Sequence, residues 1–588
     1  LNSLLAASMA SPPIQREEKG FNFTWKRKNQ GGWKPACILL SNQCLATFAF
    51  FGAGVNLVLF LTRVLGQSNA EAGNSVSKWA GTVYLFSLVG AFLSDSYWGA
   101  FLTCTIFQII LFIGLGLLSL SSSIFLIRPA GCGDGKLACE KPSATGVTMF
   151  YFSVYLIALG YGGHQPTIAT LGADQFDNSN IRDRAWKEAF FCYFYFALNF
   201  GCLFSNTMLV YYEDSGKWTI GFLVSLAASL VALISFLLAS PMYRHITPSG
   251  NPLPRVAQVF FAAAKKYRVK AVSPDALYEI EGAESAIKGS RKIMHSKHFH
   301  FLDKAATITP GDETSKGNPW RLCTTTQVEE AKSVLKMLPI WLCTIVYSIA
   351  FTQMASMFIE QGDVMNTLVK SFRIPAASMS AFDICSVLIG TGVYRKLVVP
   401  VAGRVCGNRK GLTELQRMGV GLVIGMLSMI AAGEAEIQRL RNVTRGEKRS
   451  ELSIFWQVPQ YALLGISEVF MYVGQLEFFN GQAPDGIKSL GSSMCMASIA
   501  IGNYASCLLV NIVMSFTAKG KNLGWIPHDL NMGHMDRFYF LIAAMCAVDF
   551  VFYLICANWY KPIILYETPT NRISADEDEQ EDKTTTFL

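Results

Sequence analysis

The sequence predicts an all-α membrane protein in which twelve transmembrane helices form two bundles of six, joined by a basic linker. Composition is the first reason. A chain of 588 residues with 51% hydrophobic and 16% charged side chains has too little charged surface to coat the soluble domains such a length would otherwise hold. A mean hydropathy of +0.31 agrees. The second reason is a set of seven runs without Asp, Glu, Lys or Arg, each long enough to cross a ~30 Å hydrocarbon core as a helix. The third is that basic residues gather in particular connections, as they do on the cytoplasmic side of a membrane.

In chain order, residues 1–34 mix Lys, Arg and Glu without an apolar stretch of signal-peptide length, and are expected to form a cytoplasmic segment. The first bundle, 35–243, takes its spans from Pro35–Thr62, Trp79–Leu93, Ser96–Ile127, Pro142–Ala173, Ala189–Tyr212 and Trp218–Tyr243, none of which holds a charge. The linker is 244–332. Within it Asn251–Val269 alternates apolar and basic faces at helical spacing, which predicts an interfacial helix bridging the two halves. The second bundle, 333–561, draws on Met337–Ile359, Ile374–Tyr394, Met418–Gly433, Ser453–Leu476, Ser489–Ala518 and Phe538–Tyr560. Several of these are shorter or interrupted by an acid. Residues 562–588 carry ADEDEQED, Ala575–Asp582, a solvated cytoplasmic tail.

Orientation follows from the connections. Arg244–Arg321 holds thirteen Lys or Arg against seven Asp or Glu, and Tyr394–Arg417 adds Arg395, Lys396, Arg404, Arg409, Lys410 and Arg417 against Glu414 alone. Both are expected inside, and an even number of spans puts both termini there too. Glu434–Glu451 dissents: it should be external, yet it carries Arg439, Arg441, Arg445, Lys448 and Arg449. Its Asn442-Val443-Thr444 sequon, a candidate glycosylation site at Asn442, agrees with an outer face. Most of the fifteen cysteines sit in apolar spans as small hydrophobes, while Cys132 and Cys139 share an external loop and are a candidate disulfide. No metal-ligand spacing is present, since His295, His298 and His300 lie in the basic linker without cysteines and read as a solvated surface cluster. No cofactor is expected, nor any nucleic-acid partner.

Between the second and third spans lies GAFLSDSYWG, Gly90–Gly99. A tight cytoplasmic loop is expected there, with Asp95 as a gating carboxylate that caps or pairs neighbouring helix ends. It resembles the major facilitator loop signature, with Ala100 where that signature has Arg. GYGGHQPTIATLGADQFD, Gly160–Asp177, follows, then KEAFFCYFYFALNFGCLFSN, Lys187–Asn206, and QVPQYALLGISEVFMYVGQLEFF, Gln457–Phe479. Together these resemble the proton-coupled oligopeptide transporter superfamily in its plant nitrate and peptide transporter branch. The resemblance covers nearly the whole chain and implies a major facilitator fold working by alternating access. The first-helix stretch NQ-x-LAT-x-AFFG-x-GVNLVLFLTRV is similar to the seventh plant subfamily, associated with nitrate around the xylem. Where the family carries Glu-x-x-Glu-Arg, this chain has Gln43, Ala46 and Thr47; where it often carries a Lys on the fourth helix, this chain has Gln165.

The ionisable groups must therefore lie elsewhere. Within the spans stand Asp383 in the outer half of the eighth, Glu468 near the middle of the tenth, Glu477 towards its cytoplasmic end, and Asp549 in the twelfth. A carboxylate at membrane depth is costly and normally faces a water-filled space. Glu468 matches a family position associated with substrate or proton handling and is the expected coupling group, with Asp549 next and Asp383, nearer the surface, reading as structural. His164, the one histidine within a span, stands beside Gln165 and could attract an anion when protonated. Phe351 and Gln353 fall where nitrate-transporting relatives place contacts, and only Gln353 offers a donor.

No catalytic constellation is present, so an enzyme is not expected. The expected function is a plasma-membrane secondary transporter for nitrate, pH-dependent and able to export, with the monomer as transport unit and protons and the bilayer as its other partners. The alternatives are a proton/potassium antiporter, a carrier of another small organic anion or hormone, and a nitrate-sensing transporter-receptor reporting through Thr103. Peptides are disfavoured, because their charged termini need fixed opposite charges. Oocytes expressing the protein should take up labelled dipeptide no faster than water-injected controls; saturable, pH-dependent dipeptide uptake would overturn this.

Overall fold

The computed structural model describes residues 31–562, apart from 130–131, 135–138, 177–180, 246–252, 270–276, 281–291, 310–317, 370–371, 407–411, 444–448, 484–487 and 520–522. Most of the N-terminal segment, the acidic tail, Thr444 of the sequon and the side chain of Asp95 lie outside the described residues.

The first half contains α1 (Trp33–Gly54), α2 (Leu57–Arg63), α3 (Asn69–Leu93), α4 (Gly99–Ser121), α5 (Ala144–Ala173), α6 (Ile181–Phe204), α7 (Val210–Asp214) and α8 (Trp218–Leu238). Then comes α9 (Leu253–Lys265), followed in the second half by α10 (Thr325–Thr352), α11 (Met357–Asp363), α12 (Ser380–Val393), α13 (Val399–Cys406), α14 (Glu414–Arg441), α15 (Val458–Gln482), α16 (Lys488–Thr517) and α17 (Met535–Trp559). Ten helical stretches among the described residues are long and apolar enough to cross a membrane, and one of them, Asn69–Leu126, holds both α3 and α4. With α6 this makes twelve spans. Helix is what hydrocarbon demands, because every backbone N–H and C=O must find its partner within the segment. A two-residue strand pair, Leu368–Val369 with Phe372–Arg373, is the one sheet among the described residues.

Caps mark where several spans begin. Ser68 and Glu71 form a reciprocal capping box at the start of α3, Thr324 and Gln327 at α10, and Thr413 and Gln416 at α14. α1, α3, α4, α5, α6 and α8 pack on one another, as do α10, α12, α14, α15, α16 and α17, and the halves meet along α3 with α16 and α6 with α12. Glycines allow the tightest crossings. A Cβ on Gly90 of α3 would collide with the Gly163 Cα of α5 and stand 2.6 Å from its carbonyl oxygen, so only glycine fits.

Four expectations are corrected. Gly90–Gly99 is not an open loop: a π-helical turn, Ser94–Trp98, runs on from α3 and ends at Gly99, whose φ of 74° favours glycine. A matching π turn, Tyr394–Val398, follows α12 and leads into α13 within what was expected to be basic loop. Glu434–Arg441 is helix rather than external loop, because Arg439 and Glu436 are both fully buried and paired at 2.8 Å. Finally, α9 is seated on the second half: Val259, Ala262 and Ala263 are buried with Leu302, Ala305, Cys323, Val328 and Ala331 at the foot of α10. That apolar foot covers the buried part of its apolar face, where an interfacial position was expected.

The linker histidines also differ from expectation. His295 and His300 each lie 3.2 Å from Oδ2 of the buried Asp303. His295, Asp303 and Glu329 are close enough to hold a metal ion by distance. The Lys332 ammonium already fills that role, 2.7 Å from both Asp303 Oδ1 and Glu329 Oε1 and donating to the Ser296 carbonyl.

Gly90→Ala should lower the stability of the detergent-solubilised protein by about 1–3 kcal/mol, the usual cost of overpacking where backbone cannot retreat. Thermal unfolding of the purified variant beside wild type measures it.

Candidate functional site

Glu468 sits midway along α15, on the side turned toward the first half, and is half-buried. The Tyr195 hydroxyl of α6 donates to its Oε1 at 3.4 Å, a contact that crosses from one half to the other. A second crossing lies further toward the outer ends, where Asn206 Nδ2 donates to Ser380 Oγ at 2.8 Å and Ser378 Oγ donates to the Asn206 carbonyl at 2.8 Å. Asp383, in the first turn of α12, is 4% exposed and lies against Gly465 of α15. It is therefore a buried group at the junction of the halves, in the outer part of its span. Asp549 is buried between α17 and α10 beside Cys343, in the second half's own interior.

The first-helix positions that the family fills with charge form a neutral chain. Gln43 Nε2 donates to Thr47 Oγ1 at 3.0 Å, and Thr47 Oγ1 shares a 3.2 Å hydrogen bond with the Tyr161 hydroxyl of α5. The Phe50 ring stacks on Tyr161 with centroids 3.9 Å apart. His164 is fully buried in α5, and neither ring nitrogen has a hydrogen-bond partner among the described residues. Its neighbours Gly162 and Gly163 press on Val83 of α3 and Phe107 of α4, so His164 belongs to helix packing within the first half. Gln165 is half-buried beside it. On α10, Phe351 meets the Tyr472 ring edge-on at 5.0 Å. Gln353 donates to the Ile349 carbonyl and to Ser506 Oγ of α16 at 2.9 Å, which uses the amide donor expected to meet substrate. Glu477 is at the surface, paired with Arg417 at 2.7 Å.

A set of residues not singled out by sequence closes the end of the molecule read as external. Arg63, at the end of α2, pairs with Asp214 of its own half at 2.8 Å and with Asp363 of the other half. Arg449 approaches Asp363 at 3.4 Å, and Arg373 approaches Asp214 at 3.5 Å. Cys132 and Cys139, joined by a disulfide, lie in the loop between α4 and α5 at that same end. The signal was present in the sequence: Arg63, Asp214 and Asp363 each stand just beyond the end of an apolar run that crosses in the same direction. Their meeting depends on how the halves face.

Two helical bundles meeting on polar side chains, closed at one end by ion pairs that cross between them, define a multi-pass membrane transporter of the major facilitator kind. The family model described as "PTR2: POT family" matches residues 101–526. "Protein NRT1/ PTR FAMILY 7.1" of Arabidopsis thaliana is 66% identical over 535 residues, covering 90% of this chain and 86% of the relative. "Protein NRT1/ PTR FAMILY 7.3" of the same plant is 56% identical over 565 residues, with 94% and 92% covered. The chain belongs to the POT family, in its NRT1/PTR branch, and is a transporter rather than an enzyme. Among solved structures, an auto-inhibited POT family peptide transporter superposes with a TM-score of 0.67 at 21% identity, covering 91% of this chain and 99% of that one; this likeness carries the fold.

Removing Arg63 leaves Asp363 and Asp214 short of a partner, a loss of about 3–5 kcal/mol for a buried pair. Arg63→Ala should therefore loosen the outer closure. External thiol labelling of a Ser380→Cys reporter should rise in the Arg63→Ala background, and an unchanged rate would remove Arg63 from the closure.

Proposed function

We propose that the protein moves nitrate across the plasma membrane by alternating access, in either direction including export, and couples that movement to protons through Glu468. The observation that carries this reading is the position of that carboxylate: mid-span, half-buried, and hydrogen-bonded across the junction to Tyr195. A titratable group so placed responds both to protons and to the relative position of the halves. Protonation of Glu468 lowers the negative charge of a junction rich in hydroxyls, which favours entry of a small anion with its charge spread over three oxygens. The neutral Gln43–Thr47–Tyr161 chain supports the exclusion of peptides, since it offers neither a carboxylate pair nor a guanidinium.

A second reading, exchange of potassium for protons, is favoured by one observation: the described electrostatic neighbours of Asp383 and Glu468 include no Lys or Arg. A junction with acids and no bases attracts cations when the acids ionise. The sensing alternative draws less support, because Thr103 is fully buried and its hydroxyl donates to the Gly99 carbonyl at 2.8 Å, out of a kinase's reach.

Glu468→Gln keeps size and hydrogen-bonding capacity while removing titration. At matched surface levels it should retain substrate exchange and lose the pH dependence of net flux. Nitrate and potassium fluxes against external pH, in cells expressing each form, check this and separate the two substrates. An unaltered pH profile would move the coupling role away from Glu468.

A further inference from the structure

We propose that Asp383 and Glu468 form one proton site, a carboxyl–carboxylate pair at the junction of the two halves that holds a single proton between its members. The inference rests on the reading of Glu468 as coupling group and extends the site to a second helix and a second residue.

The geometry comes from the crossing of α12 and α15. Gly465 precedes Glu468 by three residues, so both look out of one face of α15, about 4.5 Å apart along its axis. Asp383 Oδ1 lies 3.0 Å from where a Cβ on Gly465 would stand, and that Cβ would also collide with the Asp383 carbonyl oxygen. Glycine at 465 is thus what lets the Asp383 backbone and carboxylate approach the Glu468 face. The two groups are near enough to interact electrostatically, and both act on Cys202 and Tyr195 of α6.

Among the described residues, no Lys or Arg is an electrostatic neighbour of either. The titratable groups that face the pair are Tyr84 of α3, Tyr195 and Cys202 of α6, Tyr347 of α10, and Tyr461 and Tyr472 of α15. Asp383 Oδ1 has no hydrogen-bond partner among the described residues. Independently, the Tyr461 hydroxyl, which faces Asp383, is fully buried and also lacks a partner. Two ionised carboxylates in such surroundings repel one another and each lacks compensation for lost hydration. One proton relieves both penalties: it neutralises one of the two carboxylates and leaves a single charge at the junction. Release of the proton to water leaves two facing carboxylates, one on each of two helices that border α6 of the other half. The added charge drives those surfaces apart or draws in a cation. The pair titrates as a unit, so neither residue has a proton of its own.

The test uses the full-length protein in lipid vesicles. Nitrate and potassium fluxes are followed against pH for wild type, Asp383→Asn, Asp383→Glu and Glu468→Gln, and infrared difference spectra of the same preparations report protonated carboxyl groups. In Asp383→Asn the flux profile should move to lower pH by on the order of one unit, because the remaining carboxylate has lost a like-charged neighbour. Asp383→Glu should keep the wild-type midpoint. The part of the wild-type protonated-carboxyl band at neutral pH that follows the flux profile should vanish in both Asp383→Asn and Glu468→Gln, over a background from the other buried acids Glu213, Glu360 and Asp549. A superimposable profile in Asp383→Asn beside a flat one in Glu468→Gln would assign the proton to Glu468 alone, overturning the pair and keeping the coupling reading. An unchanged profile in Glu468→Gln would overturn both. Should Asp383→Asn fail to reach the membrane, survival of that part of the band in Glu468→Gln overturns the pair by itself.

Discussion

Charge placed inside a hydrocarbon-embedded bundle persists only where an opposite charge, a full set of hydrogen bonds or water meets it, and this constraint sorts the polar groups of the protein. Arg439 shows full satisfaction. It is completely buried, pairs with Glu436, and donates to Asn531 Oδ1 and to the Leu530 carbonyl. Gln361 donates to the same Glu436 carboxylate and links it to Gln457 and Gln460. Lys332 is satisfied in the same way at the opposite end of the second half, between Asp303, Glu329 and the Ser296 carbonyl. These clusters fasten elements within one half and have no reason to change as the halves move.

The groups that join the halves are of another kind. Along α3 and α16 the links are neutral hydrogen bonds, Asn74 to Asn511 at 2.7 Å and Thr82 with Tyr504 at 2.7 Å. Such bonds exchange with water at small net cost, which suits surfaces that slide or rock. Ion pairs between halves are gathered around Arg63 at the outer end. Midway, the described residues of the junction are carboxylates and hydroxyls without a base, so its charge follows proton supply. Closure at one end and titration in the middle are thus set by different chemistry.

The same constraint explains the connection that disagreed with the distribution of basic residues. Arg439 counts toward an external loop only if the helix ends at Gly433; in the structure α14 continues to Arg441 and the guanidinium is interior. Arg449 is drawn toward Asp363 at 3.4 Å. Neither is a free loop charge of the sort that biases orientation, and the disagreement shrinks accordingly.

Much was legible in the chain itself. Charge-free runs located the spans because hydrocarbon excludes unpaired charge, although three helices start ahead of the runs at Trp79, Met337 and Met418, at Asn69, Thr325 and Glu414 after the caps Ser68, Thr324 and Thr413. Gln43, Ala46 and Thr47 declared the loss of first-helix charge directly. What sequence could not supply was which distant groups share a space. Arg63 meets Asp363 across 300 positions, and Tyr195 meets Glu468 across 273. Asp383 could be placed in the outer half of its span, and only the α12–α15 crossing at Gly465 brought it to the Glu468 face. His164 read first as a packing residue that could also attract an anion, and it is buried among helices of the first half, whereas Gln353 read as the donor to substrate and is engaged by hydrogen bonds to Ile349 and Ser506. Apolar patterning is local and so is written along the chain; the pairing of polar groups depends on how helices cross, and that is decided only when the whole bundle closes.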